Sequence, residues 1–304
     1  MCKCRGDRMS LNGRAAFASN LTILNLNLFH PDLFRGSLRF LLLACLVLTF
    51  PARAMDAKRI ITLSPHLAEL VFTLGAGERL VGVSDYSDYP AGASSITRIG
   101  GAAGADVERI LSLQPDLVLV WKGGTKEADI SQLRNVGLYV VSIKGESIDD
   151  IPASLLRLGE LLGRQAMAGQ QATAFRQSMG KLSSRYATKP IVSVFIEVSA
   201  RPLMALSNKH TFSAGLEACG VTNIFSDLSQ AAANVSLESV LTRKPTYVLI
   251  PDSVSESDYA DSLARYKQAE GGSVKGVVRF NADKAFRQTP RIIDAITEVC
   301  ESLH

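Results

Sequence analysis

The chain has 304 residues, 20% of them charged, and a formal net charge of +4 at pH 7. That excess is local: seven of the 33 Lys/Arg but only two of the 29 Asp/Glu fall in residues 1–54, leaving 26 basic against 27 acidic residues in the remainder. So neutral a body excludes the electrostatic case for nucleic acid as a partner.

Residues 1–54 read as an export signal. Arg35 and Arg39 precede the apolar run Phe40–Phe50, and Ala52-Arg53-Ala54 supplies a small-x-small cleavage pattern. A run of eleven residues is too short to cross a bilayer, which needs about twenty apolar residues. Cleavage after Ala54 leaves a mature chain from near Met55, and the length ahead of Phe34 points to a translation start downstream of Met1. A rival reading is lipid attachment at Cys45, in Leu43-Ala44-Cys45; against it, Leu46–Phe50 carries the apolar run beyond the cysteine. The mature chain keeps only Cys219 and Cys300, expected as a pair in an oxidising compartment, with two buried thiols as the alternative.

The mature chain opens on a strand, Arg59–Leu63, followed by Ser64-Pro65 as N-cap and first helical residue. Leu67, Leu70, Val71 and Leu74 then face inward up to Gly75, and the strand Leu80–Val83 runs into Ser84–Pro90. Ligands of α/β sheets gather where strands end and helices begin, so Ser64–His66 and Tyr86–Tyr89 are candidate ligand edges. The glycine-rich loop 98–105 lacks both the phosphate-loop ending and the spaced glycines of a dinucleotide fold.

An internal repeat follows. Asp106–Val120 reappears as Ser236–Ile250 at a constant offset of 130, pairing Glu108 with Glu238 and Pro115 with Pro245. Each copy reads as an N-cap, a short helix, a proline turn and a buried strand. The first ends at Trp121, the sole tryptophan, followed by Lys122-Gly123-Gly124. Trp121 either stacks on a flat ligand or fills core. A helix around 128–135 and a strand 138–143 complete the first half.

Between the halves lies the longest helical signal. Ile148, Ile151, Leu155, Leu158 and Leu162 form one apolar face; Ala168, Ala172, Phe175, Met179, Leu182 and Tyr186 form another. The second predicts a helix over 165–187, roughly 34 Å long, stopped by Pro190. Beyond it come a strand 191–198, a short helix 211–219 closed by Gly220, a segment 231–235, the second repeat copy, a helix near 258–268, a strand 274–280, and a last helix capped by Thr289-Pro290. The expected organisation is a signal over 1–54, an N-terminal α/β lobe over 55–163, a linking helix over 164–189 and a C-terminal α/β lobe over 190–304. The fold class is α/β: two similar lobes joined by one long rigid helix, with a ligand cleft between them.

No Gly-x-Ser-x-Gly elbow, His-Glu-x-x-His or phosphate loop is present, and no paired-cysteine spacing predicts a structural metal. A binder is expected, with no catalytic residues and no cofactor. Glu108 and Glu238 fall in the first turns of their helices, where the helix dipole favours carboxylates; alternatively they mark two lobe tips offered to a two-fold symmetric partner. His66 faces the expected cleft, either to ligate a bound metal centre or only to hydrogen-bond.

Arg59–Pro65, Gly82–Pro90, both repeat copies and Val120–Gly124 together resemble the periplasmic cobalamin-binding proteins of ABC importers, a branch of the helical-backbone solute-binding proteins; the similarity runs through Phe280–Cys300. The resemblance implies a corrinoid clamped between the lobes and delivered, by a monomer, to a permease dimer in the inner membrane. It implies ligand contacts from Tyr86, Trp121 and the adjoining Gly123 and Gly124 on one side, and from Asp283 and Arg287 on the other. It also implies docking of Glu108 and Glu238 on permease arginines, and a Cys219–Cys300 disulfide. Ala102 and Ala232 depart from the pattern, standing where family members carry cleft tryptophans. Haem or a ferric siderophore is the alternative cargo, and an exported α/β enzyme the alternative class.

Overall fold

The computed structural model describes residues 56–101, 104–267 and 274–304, so the expected export segment with Cys45, and Ala102, lie outside the described residues. The first lobe runs β1 (Ile60–Thr62), α1 (Pro65–Thr73), β2 (Leu80–Val83), the ribbon β3 (Gly100–Gly101) and β4 (Gly104–Ala105), α2 (Val107–Ser112), β5 (Leu117–Trp121), α3 (Glu127–Asn135) and β6 (Val140–Ile143). Its main sheet is parallel, in the order β2-β1-β5-β6. A parallel sheet is covered on both faces, so its strands are apolar throughout rather than alternating. In β5, Leu117 and Leu119 join the core beneath α1, while Val118 and Val120 join the core on the opposite face with Ile130 and Leu133 of α3; all four strand residues are fully buried.

Helix α1 starts at Pro65 as the sequence predicts, but the Ser64 hydroxyl does not cap it. It is drawn instead to His66 Nδ1, 2.6 Å away. The C-terminus is a Schellman motif: Gly75, at φ +65°, donates to the Phe72 carbonyl (2.9 Å) and Ala76 to the Val71 carbonyl (3.1 Å). Only glycine takes that left-handed backbone without strain.

Two antiparallel helices connect the lobes. In α4 (Asp150–Leu161), Ile151 packs into the second-lobe core, whereas Leu155, Leu158 and Leu161 pack into the first. In α5 (Gln165–Tyr186), Ala168 belongs to the first-lobe core, and Phe175, Leu182 and Tyr186 to the second. Each helix is thus anchored at both ends in different cores, and 22 residues at 1.5 Å make α5 a strut about 33 Å long. Gly159 permits their close approach, since a Cβ there would lie 2.4 Å from the Ala168 methyl.

The second lobe comprises β7 (Val192–Ala200), β8 (Leu203–Leu206), α6 (Thr211–Gly215), β9 (Val221–Asn223), β10 (Ala232–Asn234), α7 (Leu237–Thr242), β11 (Tyr247–Pro251), α8 (Glu256–Lys267), β12 (Gly276–Phe280), α9 (Ala282–Ala285) and α10 (Ile292–Leu303). Its sheet is mixed, β10-β8-β7-β11-β12, with β9 also on β7. The repeat is carried in detail: Asp106 and Ser236 each accept the N–H three residues on, from Arg109 and Ser239. Gln114 and Lys244, 130 positions apart, hold matching left-handed backbones at φ 48° and 49°. Cys219 and Cys300 form a disulfide that ties the segment after α6 to α10.

One boundary differs for a reason that bears on the site. Thr289-Pro290 does not cap the last helix, which begins at Ile292. The Thr289 hydroxyl bonds across the cleft to Glu69 of the first lobe, 2.6 Å away. Donating to that buried carboxylate turns the hydroxyl away from the helix amides it would otherwise accept from as an N-cap.

Candidate functional site

The C-terminal end of β5 carries the first wall. Trp121 is held at its backbone: its carbonyl accepts from Gly124 (3.2 Å) and Thr125 (2.9 Å), and its N–H donates to Thr125 Oγ1 at 3.1 Å. The indole lies so close over Gly124 that a Cβ there would come within 1.8 Å of the ring. The ring also meets His66 in a T-shaped arrangement, with centroids 5.1 Å apart and planes at 87°. Trp121 is therefore a fixed plate, held by a glycine and a buried imidazole.

Tyr86 stands on the adjoining loop after β2. Its backbone is left-handed, at φ 61°, and its side chain is 83% exposed. The loop is pinned by Arg98, which donates to the Ser84 (3.2 Å) and Ser87 (2.8 Å) carbonyls. An aromatic presented to solvent from a pinned loop is an unused contact surface.

Trp121 separates two cavities. One, of about 190 Å³, is lined by Ser64, Pro65, Tyr86, Gly101, Trp121 and Gly124 within the first lobe. The other, of about 220 Å³, lies between the lobes, with Trp121, Gly123 and Gly145 on one side and His210, Thr211 and Gln288 on the other. Each is smaller than the roughly 300–1,000 Å³ of a pocket for a drug-sized ligand.

An ion network spans the cleft. Glu69, on α1 and 2% exposed, accepts from Thr289 Oγ1 and, through both oxygens, from Arg291 Nε and Nη2 at 2.7 Å each. Arg291 also bonds Asp283 (2.8 Å) and stacks on the Tyr89 ring, 3.6 Å from its centroid. Burial opposes its charge, yet the hydrogen bonds it donates to Glu69 and Asp283 hold its pKa above the ordinary value. Arg287 binds Asp283 and, across the cleft, Asp88, each at 2.5 Å, and reaches the Tyr86 carbonyl at 3.2 Å. Burial alone raises the Asp88 pKa, but the Arg287 hydrogen bond and charge hold it below the usual carboxylate value.

The structure thus brings Tyr86, Trp121, Gly123 and Gly124 together on one wall. It places Asp283 and Arg287 opposite, engaged with each other and with the first lobe. His66 lines neither cavity; it is 4% exposed, and its Nε2 is buried without a hydrogen-bond partner. Burial, with the Arg287 charge adding to it, pushes its pKa down to about 3. Glu108 and Glu238 are exposed on α2 and α7, and neither has an ion-pair partner among the described residues. Ala232 begins β10 and is half-buried. Sequence reasoning placed Asp88 on the Tyr86–Tyr89 edge without giving it a role, and it missed Glu69, Arg291, His210, Gln288 and the part Thr289 plays across the cleft. Asp283, Arg287 and Arg291 at intervals of four were the one visible signal.

A profile of the periplasmic binding protein family matches residues 60–269. A vitamin B12-binding protein of Yersinia pestis (strain Pestoides F) is 34% identical over 257 residues, which cover 84% of this chain and 89% of that protein. The crystal structure of a periplasmic vitamin B12-binding protein of Vibrio cholerae matches with a TM-score of 0.74 at 32% identity, over 82% of this chain and 97% of that one. A periplasmic haem-binding protein of Roseiflexus sp. RS-1 has a TM-score of 0.71 at 21% identity, over 82% and 98%, a likeness of fold alone.

Proposed function

Because the chain belongs to the periplasmic binding protein family, we propose that it is the substrate-binding subunit of an ABC importer, which captures cobalamin or a related corrinoid between its lobes. The observation that carries this reading is the Trp121 plate with Tyr86 beside it. A rigid indole and an exposed phenol at the mouth of the cleft offer the broad apolar contact that a flat macrocycle covers. Gly123 and Gly124 keep that wall free of side chains. Apolar stacking accounts for affinity here, and polar groups of the second lobe for orientation.

Neither cavity has room for a corrinoid, so capture requires the cleft to widen. Arg287 is the group to move: its Asp88 partner is 63% exposed and so screened by water, and its other cross-cleft ion contact, with Glu69, is long at 3.7 Å. A ligand offering Arg287 an acceptor exchanges one weak contact for another, and Asp283 stays as the hinge of that exchange. The Glu69–Arg291 pair, buried and doubly bonded, persists and limits how far the lobes part.

Delivery is assigned to Glu108 and Glu238, exposed and without an ion-pair partner among the described residues, which dock on basic residues of the permease dimer, one per lobe. The chain acts as a monomer, binds without turnover, and reaches the periplasm through an export signal in residues 1–54. The corrinoid is cargo, not a cofactor. His66 acts as a brace beside Trp121 rather than as a metal ligand, which disfavours haem.

Calorimetric titration of the chain from Met55 onward with cyanocobalamin, cobinamide and haemin tests this. The expected result is tight one-to-one corrinoid binding that Trp121→Ala weakens by tenfold or more. Haemin binding with no corrinoid binding would overturn the assignment of the ligand.

A further inference from the structure

The interlobe cavity holds an oriented donor that neither the fold nor the Trp121 wall accounts for. His210 precedes α6, and its Nδ1 accepts the backbone N–H of Phe212 at 3.2 Å. A neutral imidazole that accepts at Nδ1 carries its proton on Nε2. Burial pushes the His210 pKa down to about 4, so the ring is neutral at physiological pH. Phe286 packs edge-to-face on it, with centroids 5.4 Å apart and planes at 81°, which fixes its direction. The ring lines the cavity opposite Trp121 and Gly123, and Nε2–H has no hydrogen-bond partner among the described residues.

The surroundings point the same way. Thr211 Oγ1, Gln288 Oε1 and Trp121 Nε1, all belonging to residues that line this cavity, are buried without hydrogen-bond partners among the described residues. Polar groups left unpaired in protein cost about 1–3 kcal/mol each, and their concentration at one interlobe seam marks a place where polar ligand atoms are accommodated. Neutral amides, hydroxyls and an imidazole N–H suit a ligand whose rim carries oxygen acceptors. The tautomer leaves no lone pair at Nε2, so His210 donates a hydrogen bond rather than ligating a metal.

We propose that His210 is a ligand-recognition residue of the second lobe, whose Nε2–H donates to an acceptor oxygen, an amide carbonyl or a phosphate, on the rim of a macrocycle held against Trp121. This rests on the corrinoid reading above and adds to it a polar contact that sets orientation and selectivity.

The test is calorimetric titration of the wild type, His210→Asn and His210→Gln with cyanocobalamin and with cobinamide, which lacks the phosphate-bearing nucleotide. Asparagine keeps an acceptor for the Phe212 N–H but withdraws the donor from the cavity; glutamine returns an N–H at similar reach. His210→Asn is expected to weaken binding about tenfold, and His210→Gln to recover to within about threefold of wild type. Weakening toward both ligands identifies an amide carbonyl as the acceptor, and weakening toward cyanocobalamin alone identifies the phosphate. Unchanged affinity of His210→Asn for both, in a wild type that binds, overturns this proposal and leaves the corrinoid reading intact. A wild type that binds neither ligand overturns both. Should His210→Asn lose its thermal transition, His210→Gln decides: wild-type affinity supports the donor, and a loss of tenfold or more overturns it.

Discussion

Replacing Glu69 by alanine removes the acceptor of three interlobe hydrogen bonds, one from Thr289 and two from Arg291. Arg291 keeps its charge and is left with Asp283 and the face of Tyr89. Deleting one partner of a buried ion pair costs about 3–5 kcal/mol. Because the Arg291 side chain is still 18% exposed, water compensates in part, and about 3 kcal/mol is expected. For a chain of this size each kcal/mol moves Tm by about 2–4 °C, so Glu69→Ala should lower Tm by about 6–12 °C. Glu69→Gln, which keeps an acceptor but loses the charge, should fall between. The same variants should broaden the distance distribution between fluorescent labels on the two lobes, because the remaining cross-cleft pair, Arg287–Asp88, is weak. Calorimetry and single-molecule energy transfer read the two effects. A Tm within 2 °C of wild type with an unchanged distance distribution would show that the lobes are held by α4 and α5 alone.

Asp88→Asn removes the nearer of the two carboxylates that Arg287 meets across the cleft, leaving Glu69 at 3.7 Å, so it should tighten corrinoid binding about two- to fivefold while leaving Tm nearly unchanged; weaker binding would mean that Asp88 itself serves the ligand. Reversing both Glu108 and Glu238 to arginine should abolish transport in a reconstituted importer and leave affinity intact, and undiminished uptake would remove them from docking. Stability should also depend on pH. His66 and His210 stay neutral in the fold, to about pH 3 and 4, whereas unfolded histidines titrate near 6.5. Below pH 6.5 the unfolded chain binds protons that the folded one refuses, so stability is full above that value and falls as pH drops. By pH 5 each histidine contributes about 2 kcal/mol to the loss, about 4 kcal/mol together, measurable as a lower urea midpoint than at pH 7.5. Equal midpoints at the two pH values would contradict the burial of both rings.

What the sequence disclosed and what it hid divide along local and long-range physics. The helix Gln165–Tyr186, the two N-caps Asp106 and Ser236, and the buried strand before Trp121 are written in spacings of three, four and one, and were legible. Glu69 was not. It sits among Leu67, Leu70, Val71 and Leu74, where its charge reads as a solvent-facing position, yet Arg291 from 222 residues away buries it. The same contact diverts Thr289 from the cap its neighbour Pro290 advertised. Trp121 was ambiguous between core and ligand wall because its orientation depends on Gly124 below and His66 beside it, two contacts no periodicity encodes. His66 looked like a cleft residue from its place at a helix start, but the Ser64 hydroxyl turns its ring inward. His210 gave no signal at all, since its role depends on which nitrogen a backbone amide occupies.

The proposed function requires a corrinoid held between the Trp121 wall and the second lobe. Anomalous diffraction at the cobalt edge, from crystals of the chain grown with cyanocobalamin, tests it most directly. One strong cobalt peak between Trp121 and the His210–Arg287 side of the cleft is predicted. A peak elsewhere on the surface, or a fully loaded crystal with the cleft closed by the Arg287–Asp88 pair, would contradict it.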